Sequence, residues 1–172
     1  MNDVTTKQPR WLDEREQAAW RAYLDMNAKL NARLNREMQE QCGISIADFS
    51  VLVQLSEHVD SRMRVLELAR ALGWEKSRLS HQLTRMQQRH LITRANCSED
   101  RRGAWVELTP QGRETIEAAA PRHVESVRRY LFDELDDEQV RALEQIARTV
   151  TGLIEAACAG RDDACGAGCD GG

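Results

Sequence analysis

The chain has 172 residues, is 41% hydrophobic and 30% charged, and carries a formal net charge of −4 at pH 7. That length suits one domain, or a small one with extra helices attached, and no apolar run approaches the roughly 20 residues a membrane span needs. Net acidity argues against a general nucleic-acid coat but leaves room for a local basic patch, and an opening "MNDVTTKQPRW" without an apolar stretch makes the cytoplasm the expected compartment.

Residues 11–41 predict one long helix, with Trp20, Leu24, Leu30, Leu34 and Met38 at helical spacing and no Pro or Gly before Gly43. A second helix follows over 44–58, with Ser45 as N-cap and Phe49, Leu52, Val53 and Leu55 as its apolar face. The charged turn "VDSRMR" leads to a short helix, "VLELARALG", closed by Gly73. A further helix, "EKSRLSHQLTRMQQRH", carries the stripe Leu79, Leu83 and Met86. The periodicity then changes: "LITRA" and "AWVELT" are β-prone and separated by "NCSEDRRG", which reads as a hairpin. Thr109-Pro110 opens the next helix, which is expected to reach about Phe132 and to kink at Pro121. The last helix starts at Asp136 in an Asp-x-x-Gln capping box, and its stripe is Val140, Leu143, Ala147, Val150, Ile154 and Ala157. From Gly160 the Gly-rich acidic tail is expected to be disordered.

Charge is polarised along this order. Residues 74–105 hold seven basic and three acidic residues, whereas 131–172 hold three basic and ten acidic. Two short helices joined through "GWEK" make a helix-turn-helix. With Leu79 and Leu83 inward, the outward face of the second carries Ser77, Arg78, His81, Thr84, Arg85 and Gln88, donors and acceptors that reach base edges and phosphates. Taken alone, such a polar face is also what any amphipathic surface helix shows. The hairpin directly after it shifts the balance, because a hairpin there is a wing and arginines at its tip suit a minor groove. Arg102, with Arg101 beside it, would enter that groove, Asp100 would hold the guanidinium, and Gly103 would let the tip turn. Arg64, in the charged turn, completes the candidate DNA-binding set.

The segment from about residue 44 to 113 resembles the winged helix-turn-helix of the multiple-antibiotic-resistance regulator (MarR) family. The matching stretches are "RVLELARALG", "SRLSHQLTRMQQRHLITR" and "SEDRRGAWVELTPQG", the last with the Asp-x-Arg wing signature at Asp100 and Arg102 and Leu-Thr-x-x-Gly at Leu108, Thr109 and Gly112. The flanking helices extend the likeness to roughly 11–158, and "WLDEREQAAWRAYL" and "AAPRHVESVRRYL" look like an actinobacterial branch. The resemblance implies a mainly α fold with a small β-hairpin wing: a winged helix-turn-helix over 44–109, a helical dimerisation region over 11–42 and 110–158, and a tail over 159–172. It also implies a homodimer acting as a transcriptional regulator, most often a repressor, on a pseudo-palindromic operator in double-stranded DNA with half-sites about 10 bp apart. The chain departs from the family pattern at His90, where a Gly is common between the recognition helix and the next strand.

Several modes of control stay open at this level. Members of the family commonly respond to small phenolic or anionic ligands, and His58, His123 and Arg122 are candidates for lining such a cleft, though the histidines read more simply as partly buried. Others sense oxidation or bind zinc. Here the odd, scattered set Cys42, Cys97, Cys158, Cys165 and Cys169 argues against disulfides, and the spacing of its tail members is not that of a structural zinc site. No cofactor or metal is expected. No G-x-S-x-G, Walker or H-E-x-x-H motif is present, so an enzyme is not expected. The competing class is an acidic helical dimer that binds another protein, which accounts for the last helix but not for the basic 74–105 stretch.

Overall fold

The computed structural model describes residues 9–95 and 104–165, the segment from 158 onward by its backbone alone. Its described residues form two compact units, one ending at Ser126 and the other beginning at Val127.

The first unit starts with α1, Glu14–Cys42, whose N-terminus is closed by a capping box between Asp13 and Glu16 and whose C-terminus is closed by left-handed Gly43. Only Glu37 and Met38 of this helix are buried. A second capping box, Ser45 with Asp48, opens α2, Ile46–Glu57, which buries Phe49, Val51, Leu52 and Leu55. Strand β1, Arg62–Arg64, runs directly into α3, Val65–Leu72, which ends at left-handed Gly73. Next come α4, Lys76–Gln88, then β2, Ile92–Ala95, and β3, Trp105–Leu108. The last helix of the unit is α5, Pro110–Val127, whose final residue falls in the second unit and in which Pro121 sits inside the helix.

The sequence predicts a two-stranded hairpin, whereas the sheet has three strands in the order β1-β3-β2. The "RMR" of the charged turn supplies the extra one: Arg62 pairs with Glu107, Met63 with Val106 and Arg64 with Trp105, all antiparallel. A strand this short shows no alternation to read. Tertiary pairing makes it, with Met63 turned inward beside fully buried Val106. The core joins helix and sheet, with Leu52, Leu55, Leu68, Leu79, Leu83, Met86, Ile92 and Val106 fully buried.

Two backbone devices set the junctions around α4. His90 takes φ +58°, so the left-handed turn expected at this position is made by histidine. Beyond β3, the Thr109 hydroxyl accepts from the Gly112 N–H at 2.9 Å, capping α5. There Gly112 passes so close to β2 that an added Cβ would sit 2.0 Å from the Leu91 carbonyl oxygen.

The second unit holds one π turn, Arg128–Phe132, in which the Asp133 N–H reaches back to the Arg128 carbonyl at 2.8 Å, and α6, Asp137–Cys165. The expected capping box is present: the Gln139 N–H donates to Asp136 Oδ1 at 2.8 Å and the Asp136 N–H to Gln139 Oε1 at 3.0 Å. The helix passes Gly160 and runs to Cys165, farther than the expected boundary. One glycine costs an established helix only about 1 kcal/mol, less than is needed to end it. Residues 166–172 lie outside the described residues.

Candidate nucleic-acid interface

The turn "GWEK" joins α3 to α4 in one tight step, and the Trp74 N–H closes on the Ala69 carbonyl at 2.9 Å. Apolar Leu79, Leu83 and Met86 fix the rotation of α4, each with no exposed surface. Ser77, Arg78, His81, Thr84, Arg85 and Gln88 are consequently all exposed along its other side. Glu75, the N-cap, makes no side-chain cap bond, and no acidic residue occupies the first turn of α4. The N–H groups of that turn, with the positive end of the helix dipole, therefore stay open to a phosphate.

The arginines near this face are held in different ways. The Arg78 guanidinium lies 4.4 Å from the centre of the Trp74 ring. Arg64 and Arg62 bracket Trp105 across the strand pair, at 4.5 and 4.9 Å from its ring centre. Stacking on an indole restrains a guanidinium without using up its N–H groups. Arg85 donates to Gln82 Oε1. Arg89 points the other way: its Nη1 reaches Asp48 Oδ2 at 2.9 Å and its Nη2 the Gly43 carbonyl at 2.9 Å, tying the end of α4 to the α1–α2 junction.

Two features of this site were not visible in the sequence. Gln82, a polar residue, is 4% exposed. Its amide donates to Asp48 at 2.6 Å, across 34 positions of chain. Its place three residues after Leu79 was the available signal. The stack of Trp105 with Arg62 and Arg64 depends on β1, where the sequence predicts a charged turn. The wing assignments Asp100, Arg101 and Arg102 lie outside the described residues.

The ligand-cleft candidates separate. Arg122 and His123 line a crevice between α1 and α5 with Leu34, Glu37, Met38, Gln41, Cys42 and Ser126. His58 is not among its walls; it ends α2, with Nε2 4.0 Å from Glu67 Oε1. In the crevice Glu37 is buried but paired, accepting from Ser126 Oγ at 2.5 Å and from Arg33 Nη2 at 2.8 Å. Arg122 donates to the Gln41 carbonyl at 2.6 Å. The His123 ring lies tilted against Phe49, with ring centres 4.5 Å apart, its Nδ1 is buried with no hydrogen-bond partner, and burial lowers its pKa below the usual 6.5. Cys42 is a free, half-buried thiol, and the thiols of Cys97, Cys158, Cys165 and Cys169 lie outside what the structure describes. Among the described residues no group of three or more His, Cys, Asp or Glu could hold a metal, and no helix is long and apolar enough to cross a membrane.

Comparison with known proteins bears on the same elements. The MarR family model matches residues 44–103, from just before α2 to just before β3. AbsC, a MarR family transcriptional regulator from Streptomyces coelicolor, is 41% identical, covers 86% of this chain and 99% of its own, and superposes with a TM-score of 0.79. A second MarR family regulator from the same organism, solved in complex with DNA, is 37% identical, with coverages of 83% and 90% and a TM-score of 0.78. The transcriptional repressor YetL of Bacillus subtilis (strain 168) is 24% identical over 115 residues, which is 67% of this chain and 68% of that protein.

Proposed function

The chain belongs to the MarR family of DNA-binding transcriptional regulators, and from that premise we propose that it binds a pseudo-palindromic operator as a homodimer and represses the genes beside it. The observation that carries this reading is the exposed polar face of α4, seated on a fully buried stripe and followed at once by the sheet.

In this reading α4 enters the major groove. Ser77, Arg78, His81, Thr84, Arg85 and Gln88 meet base edges and flanking phosphates, and the helix N-terminus meets a phosphate. Arg64 adds a backbone contact from the end of β1. Arg102, steadied by Asp100 and flanked by Arg101, reads the minor groove. Residues 44–109 act as the DNA-binding domain, and 11–42 with 110–158 as the dimerisation region. Operator reading takes place in the cytoplasm. Repression is supported by the likeness to YetL, and DNA as the partner by the relative solved on DNA.

Release by a small anionic or phenolic ligand belongs to the same proposal, with the crevice between α1 and α5 as its place. Arg122 would supply the cation and His123 an aromatic wall.

Fluorescence anisotropy on DNA from upstream of the protein's own gene, against a scrambled duplex at about physiological salt, tests the reading. Binding tighter to the upstream DNA by roughly a thousandfold or more is the expected result. Equal, weak binding whose strength barely changes with salt would point to a protein partner, since phosphate contacts make affinity fall steeply with salt.

A further inference from the structure

Of the four buried residues of α4, Gln82 alone is polar. Its Nε2 donates at 2.6 Å to Oδ1 of Asp48, itself 3% exposed, in the first turn of α2. A carboxylate only accepts, so Asp48 selects the NH2 end of the Gln82 amide. The amide oxygen is left facing Arg85, whose Nη2 donates to it. Asp48 cannot easily turn to relax this arrangement. Its Oδ2 accepts from Arg89 Nη1 at 2.9 Å, from the Ser45 N–H at 2.8 Å and from Ser45 Oγ at 2.8 Å.

We infer that Asp48 and Gln82 are positioning residues for DNA reading: the buried pair holds one edge of the Arg85 guanidinium, so that Arg85 presents its remaining donors to the duplex in one orientation. A guanidinium has five N–H donors in a rigid fork, and Gln82 takes up one edge while the others stay available for a base or a phosphate. Arg78 gains a comparable restraint from Trp74 at 4.4 Å, through stacking instead of hydrogen bonding. Holding the side chain before binding removes part of the ordering cost of the complex. The inference rests on α4 being the reading helix.

The test starts with wild-type protein, which selects its preferred duplex from a random pool, and that duplex is the probe. Gln82→Met, Arg85→Ala and the double variant are titrated on it, with thermal melting to follow the fold. Gln82→Met should weaken binding on the order of tenfold, and the double variant should bind no more weakly than Arg85→Ala. Repeated selection with either single variant should relax preference at the same base pair. A Gln82→Met effect of equal size with and without Arg85, or unchanged affinity and preference, overturns the inference. Should Gln82→Met fail to fold, Asp48→Asn replaces it. That variant keeps an acceptor for Arg89 and turns an NH2 group toward Gln82, whose amide must then present its own NH2 to Arg85, and the same non-additivity is required of it. Wild-type protein that enriches no sequence would overturn the operator reading itself, and this inference with it.

Discussion

Gly112 is fixed by distance. A Cβ at this position would lie 2.0 Å from the Leu91 carbonyl oxygen and 2.9 Å from Leu108 Cδ1, and the first of these is backbone that cannot swing aside. Gly112→Ala should therefore destabilise the protein by about 1–3 kcal/mol or more, read as a lower urea midpoint at unchanged slope. Gly152, inside α6 with nothing within 4 Å of its would-be Cβ, is the internal contrast. There, alanine should stabilise by about 0.5–1 kcal/mol. His90 is a different case, because its φ of +58° strains the backbone and not the packing. Holding a residue with a Cβ in the left-handed region costs roughly 1–2 kcal/mol, and glycine gives back roughly 0.5–1 of that through its freer unfolded chain. His90→Gly should raise stability by about 0.5 kcal/mol in the same urea experiment, while β-branched His90→Val should lower it by about 1 kcal/mol.

At the scale of elements, α4 is ordered twice over, by its apolar stripe and by the Asp48 cluster, and under the proposed function DNA would meet what it leaves outside. Arg78→Ala removes a guanidinium already restrained on Trp74. It should relax preference at one base pair by about 1–3 kcal/mol if the contact is bidentate, with the thermal midpoint little changed. Repeated site selection checks this, and an unaltered motif would remove Arg78 from base readout. His123 of α5 should give the fold a pH dependence. Burial lowers the pKa of His123, so the native state resists a proton that the unfolded chain accepts near the ordinary 6.5. Above that pH both states are neutral at His123 and nothing is lost. As pH falls below it the unfolded state binds the proton first, and stability declines until the native histidine also titrates. Urea titrations at pH 7.5 and 5.5 should show this loss, and His123→Phe, which keeps an aromatic ring against Phe49, should reduce it. Much of this level was legible in the sequence, because helical periodicity and caps are local: Leu79, Leu83 and Met86, the Ser45 cap and the Asp136 box all stand where the residues put them. Strand β1 was not, since three residues with one apolar position have no period, and its identity comes from β3, more than forty positions away. The Asp48–Gln82 bond was hidden for the same reason: its two ends lie 34 residues apart and each looks like surface.

For the whole molecule, the informative surface is apolar. Trp11, Trp20 and Leu24 near the N-terminus are 83%, 52% and 46% exposed, and Val150, Leu153 and Ile154 of α6 are 50%, 68% and 59% exposed. A protein rarely leaves so many large side chains to water unless something covers them. Under the proposed dimer that cover is a second copy, and the ladder of α6 is the seam the sequence already displays. A carboxylate placed on the seam would have to be buried unpaired or would keep the copies apart. Ile154→Glu should thus shift sedimentation from dimer to monomer. Gln145→Glu, which adds the same charge to the same helix outside the stripe, should leave the dimer intact. The effect on DNA follows from linkage of the two half-sites. Once one protomer is bound, the second sees its half-site at the effective concentration set by the dimer, and a monomer forfeits that advantage. Affinity for a full operator should fall on the order of 10²-fold or more in Ile154→Glu, while affinity for an isolated half-site stays near wild type. Equal losses on both duplexes would mean that the substitution damaged the fold, and a monomer that still bound the full operator at wild-type strength would exclude the dimer as the reading unit.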